Sequence, residues 1–202
     1  FATPFIDSDT GEWIDHTQAI NISSDVSCTA GQMARALGLA FASTSYRNSK
    51  NLRQGTSFSK NGNEVTFCTI GDASTSEGVF WETLNAAGVL QVPLSISVWD
   101  DGYGISVPKE YQTTKSSISK AAAGFQAEAD TNGLDIYVAK AWDYPSLIDL
   151  YQKSTAKIRG THRPALLHIT EVTQPQGHST SGSHERYKTK ERLQWERETD
   201  CI

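Results

Sequence analysis

Two short polar segments contain residue types suited to holding a metal ion and a phosphate group. The first, residues 71–78, combines small residues, which let the backbone approach a ligand, with the carboxylate of Asp72. A helix predicted to begin near Ser76 adds unpaired N–H groups, which favour a phosphate. The second contains Asp100 and Asp101, and Asp101 follows Asp72 by 29 residues. Because magnesium takes one or two carboxylates with phosphate oxygens and water, Asp72 and Asp101 are candidate ligands of one ion.

The same residues also have a purely structural interpretation. Asp72 and the neighbouring serines are typical caps of a helix. Asp100 and Asp101 precede a glycine, as turn residues commonly do. Residue types alone leave both interpretations open.

The elements that would position these segments alternate between strands and helices. Runs of β-branched and aromatic residues predict strands at 64–70, 93–99, 134–139 and 165–170. Periodic apolar or charged runs predict helices at 29–47, 77–90, 116–124, 145–159 and 188–198, the last of them charged and exposed. His184, in the loop before it, is expected to be solvated. The alternation predicts an α/β fold with a doubly wound, mostly parallel sheet and helices on both faces. Ligands of such folds bind at the carboxyl ends of the strands, where both acidic segments lie.

Composition and charge narrow the classes to which the chain can belong. Its 202 residues, 38% of them apolar, predict a single domain over residues 1–202 with a real core. A net charge of −5 without a basic block disfavours nucleic-acid binding, and no apolar run is long enough to span a membrane. No signal peptide is visible, so a cytoplasmic location is expected. The widely spaced Cys28, Cys68 and Cys201 favour neither a disulfide framework nor a zinc site, and Cys68 is predicted to lie in the core.

The two acidic segments and the residues between them resemble the thiamine diphosphate motif of the alpha subunits of 2-oxoacid dehydrogenases. The matching positions are Gly71-Asp72, Ser76-Glu77-Gly78, Leu84-Asn85-Ala86-Ala87, Pro93 and Asp101-Gly102-Tyr103-Gly104-Ile105-Ser106. The resemblance implies that Asp72 and Asp101 coordinate magnesium together with the backbone carbonyl of Tyr103. It also implies that Ala73 and Ser74 contact the diphosphate. Ala73 departs from a usual glycine, and Asp100-Asp101 departs from a usual pair of asparagines, which adds negative charge beside the diphosphate.

Two further segments extend the resemblance. Residues 174–181 resemble the loop of the family that contains Gly-His-Ser, and they are closest to the branched-chain type. The resemblance implies that His178 lies beside the diphosphate and assists acyl transfer, and that Ser179 matches a phosphorylation position of mitochondrial relatives. Ser27 and Thr29 match positions near the aminopyrimidine ring. Without the resemblance, His178 is a surface-loop histidine and the other two belong to a helix cap.

The resemblance implies a component that binds thiamine diphosphate and magnesium, decarboxylates a 2-oxoacid and passes the acyl group to the lipoyl arm of an acyltransferase partner. In this family the glutamate that activates the cofactor comes from the beta subunit or beta portion, and no residue of this chain matches it. The chain is therefore expected to be a fragment of a longer alpha or fused alpha–beta polypeptide, to act in an oligomer and to be inactive alone.

Three alternatives remain open. Another thiamine diphosphate enzyme, such as a transketolase or an acetoin dehydrogenase, would share the chemistry of residues 71–103. A magnesium-dependent phosphate hydrolase would use Asp72 and Asp101 without the cofactor. A non-catalytic subunit would retain only the fold.

Overall fold

A four-stranded parallel sheet forms the centre of the computed structural model, which describes residues 2–178 and 184–200. The strands in chain order are β1 (Thr66–Gly71), β2 (Leu94–Trp99), β3 (Tyr103–Gly104), β4 (Val107–Pro108), β5 (Asp135–Lys140) and β6 (Ala165–Thr170). The order in the sheet is β1-β2-β6-β5, and every pairing within it is parallel. Strands β3 and β4 form a separate antiparallel hairpin.

Helices precede and connect the strands of the sheet. They are α1 (Gln32–Asn48), α2 (Lys50–Arg53), α3 (Gly78–Leu90), α4 (Ile118–Ala121), α5 (Tyr144–Thr161) and α6 (Lys190–Thr199). Helix α5 begins as its sequence predicts, because Pro145 lies in its first turn and the Asp143 carboxylate accepts the Ser146 N–H at 3.2 Å. Helix α3 connects β1 to β2, and α5 connects β5 to β6, so each crosses between adjacent parallel strands.

The sheet is covered on both faces because alternate side chains of each strand point in opposite directions. In β6, Leu166 belongs to the core that contains Met33 of α1 and Phe80 of α3. Its neighbours Leu167 and Ile169 belong to a second core, formed with α5. The predicted α/β fold, with a parallel sheet between helices, is confirmed.

The predicted elements lie within three residues of the observed ends, with one exception. The helix predicted at 116–124 is split into α4 and a 3-10 turn at Ala123–Phe125. The short helix α2 and the β3–β4 hairpin were not predicted, because four residues and two residues are too few to show a periodic pattern. A 3-10 turn at Ala73–Ser76 also separates β1 from α3, which begins at Gly78, two residues after Ser76.

Two predictions about the C-terminal region are wrong. Helix α6 is not simply exposed, because the side chain of Glu196 is fully buried and forms an ion pair with Lys188. His184 is only 6% exposed and is therefore not solvated. The charged composition of this region indicates a polar helix, but it does not show that the acid has a buried partner eight residues earlier in the chain.

Two smaller predictions concern membranes and cysteines. Among the helices of the described residues, none combines the length and the apolar character needed to cross a membrane. Cys68 lies in the core as predicted, with its Sγ 3.6 Å from Sδ of Met33, whereas Cys201 lies outside the described residues.

Candidate functional site

The parallel register of β1 and β2 brings the two acidic segments to the same edge of the sheet. Gly71 pairs with Trp99, so Asp72 and Asp100 follow the two strands side by side. The Asp72 N–H donates to the Trp99 carbonyl at 3.1 Å, and the Asp100 N–H donates to the carbonyl of Ile169 on β6 at 2.8 Å. The carboxyl ends of three adjacent strands are therefore fixed to one another.

A cleft of 710 Å³ lies at this edge of the sheet. Seven of the predicted site residues line it: Thr29, Asp72, Ala73, Ser74, Asp101, Tyr103 and His178. Ser27 is exposed and is not one of the residues that line the cleft, and Ser179 lies outside the described residues. The N-cap of α1 is Gly31, and no side chain makes a capping hydrogen bond there, so neither Ser27 nor Thr29 caps this helix.

Asp72 is a buried carboxyl group, only 4% exposed, and it faces this cleft. Its side chain makes no capping hydrogen bond to the turn that follows it, so the capping interpretation is not supported. Burial, together with the negative charges of Asp100 and Asp101, raises the pKa of Asp72 to about 7. A nearby cation would favour the ionised form of this group, so the setting fits a divalent metal.

Asp100 has a different environment, because a histidine and a lysine bind its carboxylate. Nε2 of His168 donates to Oδ2 at 2.8 Å, and Nζ of Lys109 donates to the same oxygen at 3.1 Å. Nδ1 of the same histidine lies 2.9 Å from Oγ of Ser119. Burial alone would raise the pKa of Asp100, but the contacts of its carboxylate with His168 and Lys109 hold this pKa below its ordinary value. Asp101, and not Asp100, is therefore the second acid that lines the cleft.

Asp101 and Tyr103 are held by a tight turn after β2. Oδ1 of Asp101 accepts the Tyr103 N–H at 3.1 Å. Gly102 between them has a φ of +84°, a conformation that favours glycine, and its carbonyl accepts the Lys109 N–H at 3.0 Å. The turn thus places Asp101 and Tyr103, which are predicted to supply oxygen ligands, in one hydrogen-bonded segment beside the cleft.

The alanine at position 73 is accommodated by a glycine on the opposite wall of the cleft. A Cβ atom on Gly104 would lie 2.8 Å from Cβ of Ala73 and 2.5 Å from Oε1 of Gln112. Both distances are shorter than van der Waals contact. The two backbones can therefore approach this closely only while one of the two positions lacks a side chain.

The segment after β6 forms a third wall. Val172, Thr173, Gln174 and His178 line the cleft, and the Val172 N–H donates to the Asp100 carbonyl at 3.1 Å. The side chain of His178 is exposed, so a ligand in the cleft can reach it.

Several residues that support the site were missed at the level of sequence. A signal existed for His168, because a polar residue in an otherwise apolar strand of a buried parallel sheet needs a partner. Lys109 and Arg192 gave no comparable signal. Lys109 contacts Asp100 nine residues away, and Arg192 donates to the Asp101 carbonyl 91 residues away, so only the tertiary fold reveals these contacts.

The carboxylate oxygens that line the cleft fit a magnesium ion bound together with a diphosphate. Within residues 2–178 and 184–200, no group of three or more His, Cys, Asp or Glu side chains is arranged to hold a metal ion. Asp72 and Asp101 supply two carboxylates, which is the usual number for magnesium when phosphate oxygens and water complete its coordination.

Comparison with known families gives one match that covers nearly the whole chain. The sequence profile of the family described as "Dehydrogenase E1 component" matches residues 13–202. The match includes every residue that lines the cleft.

Curated relatives of the chain are alpha subunits of oxidoreductases. The alpha subunit of acetoin:2,6-dichlorophenolindophenol oxidoreductase from Bacillus subtilis (strain 168) is 29% identical over 140 residues, which is 68% of this chain and 39% of the relative. The alpha subunit of 3-methyl-2-oxobutanoate dehydrogenase from Mycobacterium tuberculosis (strain ATCC 25618 / H37Rv) is 30% identical over 131 residues, 64% of this chain and 33% of the relative. The pyruvate dehydrogenase E1 component subunit alpha of Acholeplasma laidlawii is 30% identical over 101 residues, 44% of this chain and 29% of the relative. The matched part of the chain thus spans about two fifths or less of each relative.

Proposed function

Because the chain belongs to the dehydrogenase E1 component family, we propose that it is the alpha-type, cofactor-binding part of a thiamine diphosphate- and magnesium-dependent 2-oxoacid dehydrogenase. Membership of this family implies that the cofactor is thiamine diphosphate. We propose magnesium as the metal ion that binds with it. The observation that carries it is the convergence of Asp72, Asp101, Tyr103 and His178 in one cleft at the carboxyl ends of parallel strands.

In this proposal, the turn after β1 and the turn after β2 together hold a magnesium ion and the diphosphate. The carboxylates of Asp72 and Asp101 and the carbonyl of Tyr103 bind the metal. Ala73 and Ser74, in the turn after β1, contact the diphosphate. The raised pKa of Asp72 supports this assignment, because a bound cation would relieve the cost of ionising a buried carboxyl group beside two other acids.

Thiamine diphosphate, when bound, supplies the electron sink for decarboxylation of a 2-oxoacid. The residues of this chain bind and orient it. Ser27 and Thr29 are proposed to face the aminopyrimidine ring, and of the two only Thr29 lines the cleft. His178, exposed at the third wall, is proposed to assist acyl transfer to a lipoyl group.

The proposal requires partners. A beta subunit or beta portion supplies the glutamate that activates the cofactor, and a lipoyl acyltransferase accepts the acyl group within an oligomeric multienzyme complex. The names of the relatives as alpha subunits support the need for a second subunit. A cytoplasmic location remains a prediction.

Two substrate classes are supported by different observations. The loop that contains His178 resembles the branched-chain type, and one relative is named as a dehydrogenase of 3-methyl-2-oxobutanoate, which is a branched-chain 2-oxoacid. The match to an acetoin oxidoreductase favours acetoin as the second candidate. We propose the branched-chain 2-oxoacids as the first class to test.

The test uses the full-length protein with its beta partner. Calorimetry measures thiamine diphosphate binding with magnesium and with a chelator, and an assay with the acyltransferase then compares branched-chain 2-oxoacids, pyruvate and acetoin. We expect magnesium-dependent cofactor binding and turnover of a 2-oxoacid. Magnesium binding without cofactor binding would support the phosphate hydrolase, and cofactor binding without any turnover would support the non-catalytic subunit. Turnover of acetoin alone would move the protein to the second class.

A further inference from the structure

A cluster of three charged side chains joins helix α6 to the cleft. Nζ of Lys188 lies 2.8 Å and 3.0 Å from the two carboxylate oxygens of Glu196. Nε of Arg192 donates to Oε1 of the same carboxylate at 2.8 Å. The side chains of Lys188 and Glu196 are 1% and 0% exposed, respectively. Burying an ion pair costs desolvation free energy, so stability alone is a weak reason for placing one here.

The two cations of the cluster also contact two walls of the cleft. Nη2 of Arg192 donates to the Asp101 carbonyl at 2.8 Å and lies 3.4 Å from the Val172 carbonyl. Nζ of Lys188 lies 3.4 Å from the carbonyl of Gln174. One buried acid on α6 therefore orients two cations, and these reach both the turn after β2 and the segment after β6.

The aromatic ring of Tyr103 lies against the same two cations. Nζ of Lys188 is 5.2 Å and Cζ of Arg192 is 5.8 Å from the ring centroid, both within the range of a cation–π contact. Arg192 also lies over the ring of Trp195, with Cζ 4.7 Å from its centroid. The guanidinium group is thus restrained by a carboxylate, two carbonyls and two rings. Lysine cannot reproduce these contacts, because an ammonium group lacks the planar fork of donors.

We infer that Arg192 and Lys188, oriented by Glu196, are positioning residues for the turn after β2 (residues 101–103), which is proposed to bind the metal. They hold Asp101 and Tyr103 in one orientation and tie this turn to the segment that contains Val172 and Gln174. The two cations and the carboxylate of the cluster have a net charge of +1, which lies beside Asp101. At the position of Asp101 the family usually has a neutral asparagine. This inference rests on the proposed function for the identity of the ligand, but the contacts themselves lie within this chain.

The test compares Arg192→Met with Arg197→Met in the full-length protein and its beta partner. Arg197 belongs to the same helix but is exposed, and its Nε donates to the Leu193 carbonyl of that helix. Calorimetry measures the Kd of thiamine diphosphate at a fixed magnesium concentration. Hydrogen exchange of the metal-free protein measures how well the turn after β2 and the segment after β6 are ordered. The amides of Tyr103 and Val172 are the reporters, because both are hydrogen-bonded.

We expect Arg192→Met to weaken cofactor binding roughly tenfold and to speed amide exchange at both reporters, because it removes a charged donor from two part-buried carbonyl groups. Arg197→Met should leave both quantities unchanged. If Arg192→Met does not fold, Arg192→Lys provides the same comparison with a smaller expected change. In the Asp101→Asn background, Arg192→Met should weaken binding less, because the additional negative charge is then absent.

The inference is overturned if a folded Arg192 variant has normal cofactor affinity and normal exchange at both reporters. A lower Tm with unchanged affinity for thiamine diphosphate also overturns it, because Arg192 would then only anchor helix α6. If the unmodified protein binds no thiamine diphosphate, the proposed function fails. The exchange comparison then still decides whether Arg192 orders the turn after β2 and the segment after β6.

Discussion

The two ends of the sheet each bury a histidine, and the partners of the two histidines differ in charge. Toward the carboxyl ends of the strands, His168 donates to the carboxylate of Asp100 at 2.8 Å. Toward the amino ends, Nε2 of His162 lies 3.2 Å from the Gly62 carbonyl, and its Nδ1 lies 3.1 Å from Oγ1 of Thr44. Burial, followed by the charge of Arg47, lowers the pKa of His162 and favours its neutral form.

The difference between the two ends of the sheet indicates which end serves packing and which end serves ligand binding. At the amino end, His162 makes only neutral hydrogen bonds, and the buried Asp135 at the start of β5 is paired with Lys157 at 2.7 Å. At the carboxyl end, three acids meet, and one of them has a pKa raised to about 7. A fold does not need this concentration of like charge, which suits a site that receives a cation. Substitutions at the carboxyl end should therefore change ligand binding, and substitutions at the amino end should change stability.

The largest expected effect is the loss of metal-dependent binding in Asp72→Asn. This variant removes one of the two proposed carboxylate ligands, so the affinity for thiamine diphosphate with magnesium should fall at least ~100-fold. Calorimetry on the full-length protein with its partner measures it. The matched control is Asp149→Asn, because Asp149 is an exposed acid on α5 that pairs with Lys153. Normal affinity in the Asp72 variant would remove this residue from the site.

At the amino end, Gly62→Ala should destabilise the protein by about 3 kcal/mol without changing cofactor affinity. Gly62 has a φ of +68°, and an added Cβ would lie 2.3 Å from the Ser43 carbonyl oxygen. Gly55→Ala is the control, because Gly55 has the same φ and no atom within 4 Å of the added Cβ, so only about 1 kcal/mol is expected there. Urea denaturation gives both values. Equal losses would show that the close contact at Gly62 is unimportant.

In the metal-free protein, the stability that Asp72 contributes should fall as the pH rises from 4 to 8. Asp72 has a pKa of about 7 in the folded state against 3.8 as its ordinary value, so the folded state keeps a proton that the unfolded state has lost. The stability that this group contributes is complete below pH 3.8 and is lost as the pH passes 7, a change on the order of a few kcal/mol. Denaturation at several pH values, with Asp72→Asn as the reference, isolates it. Identical pH slopes in the two proteins would contradict the prediction, and saturating magnesium with cofactor should reduce the slope.

The smallest expected effect concerns the close approach between Ala73 and Gly104. Gly104→Ala should weaken cofactor binding and lower stability by about 1 kcal/mol each, since its methyl group would meet Cβ of Ala73 at 2.8 Å. Adding Ala73→Gly should recover the part of both losses that this contact causes, whereas the contact with the end of the Gln112 side chain at 2.5 Å remains. A double-mutant cycle measures this coupling, and strictly additive losses would show that the two methyl groups do not compete for space.

Local patterns were sufficient to predict the framework of this fold. Strand β6 was predicted with its observed limits, because Ala165 to Thr170 is an apolar run bounded by polar residues. The resemblance also predicted seven of the fifteen residues that line the cleft. The environments of Asp100 and Glu196 could not be predicted, because each depends on partners that only the tertiary fold brings near. A charged residue in a sequence shows that a partner is needed, but not where that partner lies.

The position of β6 has a consequence for how the molecule folds. Among the described residues this strand comes last in the sequence, yet it pairs with β2 on one side and β5 on the other. The β1–α3–β2 unit that contains Asp72 and Asp101 is local in sequence and can form early, whereas β6 must be inserted between strands already synthesised. Until then, one edge of β2 is open to pairing with other chains, so nascent molecules are exposed to aggregation. The wall of the cleft that contains His178 directly follows β6 in the sequence, so it should form only after β6 has paired, and binding competence should appear with that step.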